Sequence, residues 1–103
     1  MDYNWTSLAV RAIKIGFDKD EQVDTTKSEG QLEQARNLLA ESIKLQPEEA
    51  WPYIKLADLV TDKQEKIKIY KESIKVEPTD FAKARLYDLL IGDEEYLKQL
   101  EEI

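Results

Sequence analysis

Two segments of this chain repeat each other, Glu41-Ser42-Ile43-Lys44-Leu45-Gln46-Pro47 and Glu72-Ser73-Ile74-Lys75-Val76-Glu77-Pro78. They are 31 residues apart, and each has the composition of a helix that ends at a proline. A repeat period of about 20–50 residues is typical of stacked supersecondary units, because one such unit cannot bury its apolar face alone. We therefore expect the function of the chain to depend on a surface that stacking creates.

The residues before the first repeated segment predict two helices joined by a long loop. Apolar residues at helical spacing predict a first helix at about 3–15, and Gly16 is expected to end it in the left-handed conformation. Residues 17–28 combine charged side chains and threonines with little apolar surface, which predicts an irregular loop. Ser28 and Gln31 have the spacing of a capping box, so a second helix is expected from there to Pro47.

The later part of the chain predicts four more helices in the same alternation. A third helix is expected from about Glu48, with Pro52 in its first turn, where the amide groups have no partner within the helix. Asp62 begins the capping pattern of a fourth helix. Thr79 or Asp80 is expected to cap a fifth.

A short sixth helix is expected from Asp93, which completes three antiparallel helix hairpins. The predicted fold class is all-α, in a single domain over residues 1–103. Its three hairpins cover residues of about 3–46, 48–77 and 79–103.

Composition limits the classes of function. The chain has 15 basic and 22 acidic residues, a net charge of −7, which repels nucleic acid and anionic membranes. It contains no histidine and no cysteine, the usual proton shuttle and the usual soft metal ligand. We therefore expect neither enzymatic activity nor a cofactor or metal. No apolar stretch approaches the roughly 20 residues of a membrane span, and the N-terminus lacks a signal pattern, so a cytoplasmic location is expected.

The hairpins resemble tetratricopeptide repeats, which combine W-x2-L-G-x2-Y in a first helix with A-x3-F and a closing proline in a second. The first unit matches through Trp5-x2-Leu8-Ala9-x2-Ala12 and Ala35-x3-Leu39-x2-Ser42-x4-Pro47. The second matches through Tyr53-x2-Leu56-Ala57-x2-Val60 and Lys66-x3-Tyr70-x2-Ser73-x4-Pro78. The third unit is weaker. The interval from Ala57 to Lys66 is three residues shorter than the family's interval of about 12.

The resemblance implies a short right-handed α-solenoid whose first helices line a concave groove. The chain is then a non-catalytic protein–protein interaction module that binds a peptide or a partner helix there. First-helix residues outside the core become the candidate contacts: Tyr3, Thr6, Ser7, Val10, Trp51, Ile54, Lys55, Asp58 and Arg85. The Lys/Asn/Arg clamp with which some family members hold a terminal carboxylate is missing at these positions. Because Asp58 would oppose an anionic tail, the expected partner is neutral or basic.

Trp51 has two interpretations. A solvent-facing indole offers a large apolar area with one hydrogen-bond donor, as binding hot spots do. The alternative is a residue at the junction of two helices that covers the neighbouring hairpin, since large aromatic side chains are more often buried than functional.

Two other functions remain open at this point. The last helix ends in Leu100 and Ile103 without a polar capping helix, so it could stack on a second copy of the chain or on the rest of a larger protein. The loop at residues 18–29 resembles a calcium-binding EF-hand loop in its spacing of oxygen ligands, but Val23 stands where the turn requires glycine.

Overall fold

The structure, a computed structural model, describes residues 4–91, which contain five α-helices. They are α1 (Trp5–Gly16), α2 (Glu29–Leu45), α3 (Ala50–Leu59), α4 (Lys63–Val76) and α5 (Asp80–Leu90). Apart from an isolated β-bridge between Phe17 and Val23, these residues form no β-structure, so the predicted all-α class is confirmed. None of the five helices is both long and apolar enough to cross a membrane. The predicted sixth helix and Tyr3 lie outside the described residues.

Side-chain caps fix the starts of four helices. The hydroxyl of Ser28 accepts a hydrogen bond from the Gln31 amide, and the Gln31 side chain accepts one from the Ser28 amide, so the predicted capping box is present. The carboxylate of Asp62 accepts from the Glu65 amide at the start of α4. Of the two predicted caps of α5, Thr79 is the one that accepts, from the Ala82 amide. Asn4 caps α1 in the same way. Each cap satisfies an amide that has no partner within its helix.

Gly16 has a different role from the predicted one. It is the last helical residue of α1, and its φ lies outside the left-handed region. A Cβ at this position would lie 3.0 Å from the Cβ of Ala35 and 3.2 Å from a methyl group of Leu59. Glycine is therefore required here by the close approach of α1 to α2 and α3, and not by a turn.

The helices pack mainly against their neighbours in the chain, and α1 also contacts α3. Two clusters of buried side chains result. The first cluster lies between α1, α2 and the end of α3, and consists of Ala9, Ala12, Phe17, Ala35, Leu39 and Leu59. The second cluster joins α3, α4 and α5, and consists of Ile54, Ala57, Ile67, Tyr70, Ile74, Ala82, Leu86 and Leu90. Both clusters include residues of α3, so the buried side chains connect each pair of helices to the next pair along the chain.

The repeated serine makes the same contact in both hairpins. The buried hydroxyl of Ser42 in α2 donates to the carbonyl of Trp5, the first residue of α1, at 2.7 Å. The buried hydroxyl of Ser73 in α4 donates to the carbonyl of Ala50, the first residue of α3, at 3.4 Å. The two hairpins therefore share a local contact that holds the start of one helix against the end of the next.

These serine contacts correct the alignment of the two first helices. They place Trp5 opposite Ala50, whereas the sequence pattern aligned Trp5 with Tyr53, a difference of three residues. In the structural alignment Ile54 corresponds to Ala9, and both side chains are buried. With this alignment, the interval from Ile54 to Lys66 is 12 residues, three more than the interval from Ala57 to Lys66. The interval in the second hairpin therefore depends on which residue of α3 is aligned with Ala9, and the two choices differ by about one helical turn.

Candidate functional site

A polar cleft of about 260 Å³ lies where the loop after α1 meets α3, α4 and α5. Its lining residues come from the loop and from three helices: Glu21, Gln22, Val23, Asp58, Lys66, Tyr70 and Arg85. Asp58 and Arg85 are two of the residues that the sequence assigned to the groove. The cleft therefore brings together first-helix residues that are 27 positions apart in the chain.

The carboxylate of Asp58 is the central acceptor in the cleft. Its side chain is only 8% exposed. One oxygen accepts a hydrogen bond from the phenol of Tyr70, and the other lies 3.4 Å from Nη2 of Arg85. Burial, together with the hydrogen bond to Asp58, raises the pKa of Tyr70 far above its ordinary value, so the phenol stays a neutral donor. Asp58 is consequently paired within the fold, which removes the expected opposition of this carboxylate to an anionic partner.

Lys66, which also lines the cleft, caps the C-terminal end of α3. Its ammonium group donates to the carbonyls of Ala57 at 2.7 Å and Asp58 at 3.2 Å, two of the last carbonyls of that helix. A cation at this end of a helix is favourable because the helix dipole is negative there. Burial lowers the pKa of Lys66, and the nearby charge of Asp58 partly opposes that shift.

Arg85 lies over the ring of Phe81, with its guanidinium carbon 4.7 Å from the ring centre. Its side chain is 34% exposed at the cleft, but its Nε atom is buried and has no hydrogen-bond partner. Among residues 4–91, it is the only buried side-chain nitrogen or oxygen in that condition. The unpaired Nε therefore lies inside the fold, with no surface exposed to the open cleft.

The loop after α1 covers part of α3 and holds Lys55. The Lys55 side chain is 14% exposed and lies over the ring of Phe17, with the ammonium nitrogen 5.0 Å from the ring centre. The same nitrogen lies 3.5 Å from the carbonyl oxygen of Glu21 and 4.0 Å from its carboxylate. Glu21 adopts a left-handed conformation, with φ of 58°. Lys55, expected to face a partner, is therefore largely covered by the chain itself.

The acidic residues of this loop serve the loop's own turns. The carboxylate of Asp18 accepts from the amides of Asp20 and Gln22, and that of Asp24 accepts from the amide and hydroxyl of Thr26. The hydrogen bonds from Thr26 lower the pKa of Asp24. Over residues 4–91, no group of three or more acidic side chains is placed to hold a metal ion. The described geometry adds no support to the calcium interpretation.

The remaining groove candidates lie in three different environments. Thr6 and Val10 are exposed on α1, Val10 to 42%. Ile54 is 6% exposed and belongs to the second cluster, so its assignment to the groove surface is wrong: it occupies the buried position equivalent to Ala9. Trp51 packs against the first cluster and against the indole of Trp5, with ring centres 5.8 Å apart. This geometry favours the interpretation of Trp51 as a junction residue that covers the neighbouring hairpin.

Trp51→Ala is expected to lower the free energy of unfolding by about 2 kcal/mol, because it removes a half-buried indole and its contact with Trp5. Urea unfolding followed by far-ultraviolet circular dichroism measures the loss. Tyr87→Ala, a truncation of an aromatic side chain that is 46% exposed, is the control and is expected to cost less than half as much. Equal losses of unfolding free energy in the two variants would mean that Trp51 is a surface residue and not a packed junction residue.

Sequence analysis missed the contributions of Lys66 and Tyr70 to this cleft. Both lie on α4, a second helix, which the resemblance assigns to the back of the stack. A signal was present in Lys66, which stands where the repeat pattern has alanine. A cation at a position that normally packs against its neighbour indicates a nearby acceptor, and here the acceptors are the carbonyls at the end of α3.

Comparisons with known proteins add no relative to this description. No family model, curated protein or solved structure gives a significant match to the chain.

Proposed function

We propose that this chain is a non-catalytic protein–protein interaction module of the tetratricopeptide type. In this proposal, the hairpins α1/α2 and α3/α4 and a third that begins with α5 stack as a short right-handed solenoid. The first helices α1, α3 and α5 form the concave face, which holds a peptide or a partner helix. Packing in chain order and the equivalent contacts of Ser42 and Ser73 support the stacking.

The main support for the proposal is that residues from α3 and α5 line the same open cleft. Asp58 and Arg85 share that cleft, and Lys55 lies one turn before Asp58 under the loop. On α1, Thr6 and Val10 remain exposed and continue the proposed face. A surface of charged and apolar groups from several helices offers a partner segment both orientation and contact area.

The partner is proposed to be a protein or peptide, and not nucleic acid or a membrane, because the net charge of −7 disfavours both polyanions. The expectation of a neutral or basic partner rested on an unpaired Asp58. Because Arg85 offsets the charge of that carboxylate and Tyr70 donates a hydrogen bond to it, Asp58 no longer gives a reason to exclude an acidic partner.

Affinity capture from the native cell with paired surface variants tests the proposed face. Val10→Glu places a charge on the exposed apolar residue of α1 and is expected to abolish capture of the partner. Leu45→Glu makes the same kind of change at a side chain that is 55% exposed on α2, and is expected to retain it. Circular dichroism should show both variants folded. Capture that survives Val10→Glu and fails with Leu45→Glu would place the binding surface on the second helices.

Self-association is the second candidate function, and the exposed apolar residues of α5 favour it. Tyr87 and Ile91 are one helical turn apart and are 46% and 60% exposed. Such an exposed apolar pair could pack on another copy or on the rest of a longer protein. Sedimentation equilibrium distinguishes this candidate: dimers that dissociate on Ile91→Glu would support it, and a monomer at high concentration would rule out self-stacking.

A further inference from the structure

The middle helix of the proposed binding face is covered along its whole length. None of the ten residues of α3, all within the described part of the chain, is exposed. The other two first helices differ, because Thr6 and Val10 on α1 and Lys83 and Tyr87 on α5 are exposed. A segment that binds across all three first helices therefore meets a closed surface at α3.

The three candidate contacts of α3 outside the core are covered by different parts of the chain. Helix residues cover the two outer ones: Trp5 packs on Trp51, and side chains of α4 and α5 pair with Asp58. Lys55 lies between these two positions and is covered by the loop after α1. Since a loop can move without separating packed helices, it is the cover that a partner is able to displace.

The loop after α1 is longer than its hairpin requires. Residues 60–62 connect α3 to α4, whereas residues 17–28 connect α1 to α2. A short connection thus suffices for the second hairpin, although both hairpins share the serine contact between their helices. The additional residues of the first loop are therefore free for another role, and part of the loop lies on α3 of the next hairpin.

The loop is anchored on both sides of its tip, residues 18–22. Phe17 is only 5% exposed, Val23 packs against the first cluster, and the two residues form a backbone bridge. Beyond this bridge the tip closes on itself, because the amide of Asp18 donates to the carbonyl of Gln22 at 2.8 Å. The tip therefore keeps its own hydrogen bonds if it moves as one piece about the two anchors.

Weak contacts hold the tip on Lys55. The ammonium nitrogen lies 3.5 Å from the carbonyl oxygen of Glu21, longer than usual for a hydrogen bond, and 4.0 Å from its carboxylate. The Glu21 side chain is 68% exposed, so water screens this ion pair and the pair adds little stability. The contact of Lys55 with Phe17 comes from an anchor and does not depend on the tip. The tip can therefore leave Lys55 at a small cost in free energy.

We propose that the tip, residues 18–22, is an autoinhibitory strap over the centre of the concave face. In the closed position, which the structure shows, Glu21 covers Lys55. A partner segment that lies across the three first helices displaces the tip and then contacts α3 directly. The inhibition rests on the proposed function, whereas the covering of Lys55 does not.

Amine labelling followed by mass spectrometry tests the strap without a partner. With limiting acetyl sulfosuccinimidyl ester, Lys55 is expected to react about tenfold more slowly than the exposed Lys83, because it must wait for the tip to open. Replacing residues 18–22 by Asn-Gly keeps both anchors, since this dipeptide closes a two-residue hairpin turn. In that variant the rate at Lys55 is expected to rise about fivefold or more, with the rate at Lys83 within about twofold. The melting temperature shows whether the variant has folded.

Glu21→Gly and Lys19→Gln are matched single variants in the tip. Glu21 has φ of 58°, which glycine adopts readily, so Glu21→Gly keeps the turn and removes the carboxylate. It is expected to raise the labelling rate at Lys55 about threefold, in keeping with the small energy of an exposed ion pair. Lys19→Gln changes an exposed charge of the same tip and is expected to leave that rate unchanged.

Photo-crosslinking from benzoylphenylalanine at Thr6 in the native cell tests the inhibition itself. The Asn-Gly variant is expected to yield about threefold more of the crosslinked partner than the natural loop, because the fraction of open chains limits the apparent affinity. An equal or lower yield would overturn the strap and leave the proposed face intact. Labelling of Lys55 as fast as that of Lys83 with the natural loop would also overturn it. No crosslinked protein with either loop would overturn the proposed function, and the inhibition with it.

Discussion

Leu39→Ala is expected to lower the free energy of unfolding by about 3 kcal/mol, and so to unfold a large fraction of the chain under mild denaturing conditions. Leu39 lies in α2, has no exposed surface, and belongs to the first cluster together with Ala9, Ala12 and Phe17. Truncation removes three carbon atoms from that cluster. The surrounding backbones are held by close contacts between small residues, so they cannot collapse into the cavity.

Urea unfolding of Leu39→Ala and Leu45→Ala measures this effect against a matched control. Leu45 ends the same helix but is 55% exposed, so the same truncation is expected to cost less than about 0.5 kcal/mol. Similar losses in the two variants would mean that α2 does not bury the face described here.

Gly16→Val is expected to destabilise the fold by about 2–3 kcal/mol through overpacking. The new Cβ would lie 3.0 Å from the Cβ of Ala35, an atom that cannot move without its backbone, and the two further methyl groups need still more room. Either α1 moves away from α2 and α3, or the loop that begins at Phe17 shifts.

Gly30→Val is the control for this substitution. Gly30 lies in the exposed first turn of α2, where a Cβ would approach only the hydroxyl of Ser28, at 3.9 Å. The free energy of unfolding of Gly30→Val is expected to stay within about 0.5 kcal/mol of the wild type.

Gly16→Asn distinguishes packing from a left-handed helix stop, the role that the position of Gly16 in the sequence indicates. If Gly16 were such a stop, Gly16→Asn would retain most of the stability. If close packing requires the glycine, this variant is expected to lose stability too.

The positions of the helices were predictable because their signals are local. The capping box at Ser28 and Gln31, the cap at Thr79 and the prolines that follow α2 and α4 each act within a few residues. Their chemistry is the same in a short peptide as in the folded chain. Sequence analysis therefore placed the ends of the described helices within about two residues.

The alignment of α3 with α1 was not predictable from periodicity. A shift of three residues, close to one helical turn, leaves the same face of the helix apolar, so the pattern fits both registers. Ile54 was assigned to the surface because the sequence pattern aligned Ala57, and not Ile54, with the buried Ala9. Only a contact between helices, such as that of Ser73 with Ala50, distinguishes the two registers.

The candidate site was predictable in part, for the same reason. Lys55, Asp58 and Arg85 could be named because the resemblance places first-helix residues on one face. Their environments could not be named, because those depend on contacts between distant parts of the chain. Glu21 in the loop contacts Lys55, which is 34 positions later in the chain. Tyr70 on α4 donates a hydrogen bond to Asp58 on α3.

Photo-crosslinking in the native cell tests most directly whether a partner binds on the face of α1, α3 and α5. Benzoylphenylalanine is placed at Thr6 in α1 and at Phe81 in α5, and, as controls, at Glu33 in α2 and Lys68 in α4, all of which are exposed. If the partner binds on this face, the same protein is expected to be crosslinked from Thr6 and from Phe81, and not from Glu33 or Lys68. A partner crosslinked from Glu33 and Lys68 but from neither first-helix position would contradict it.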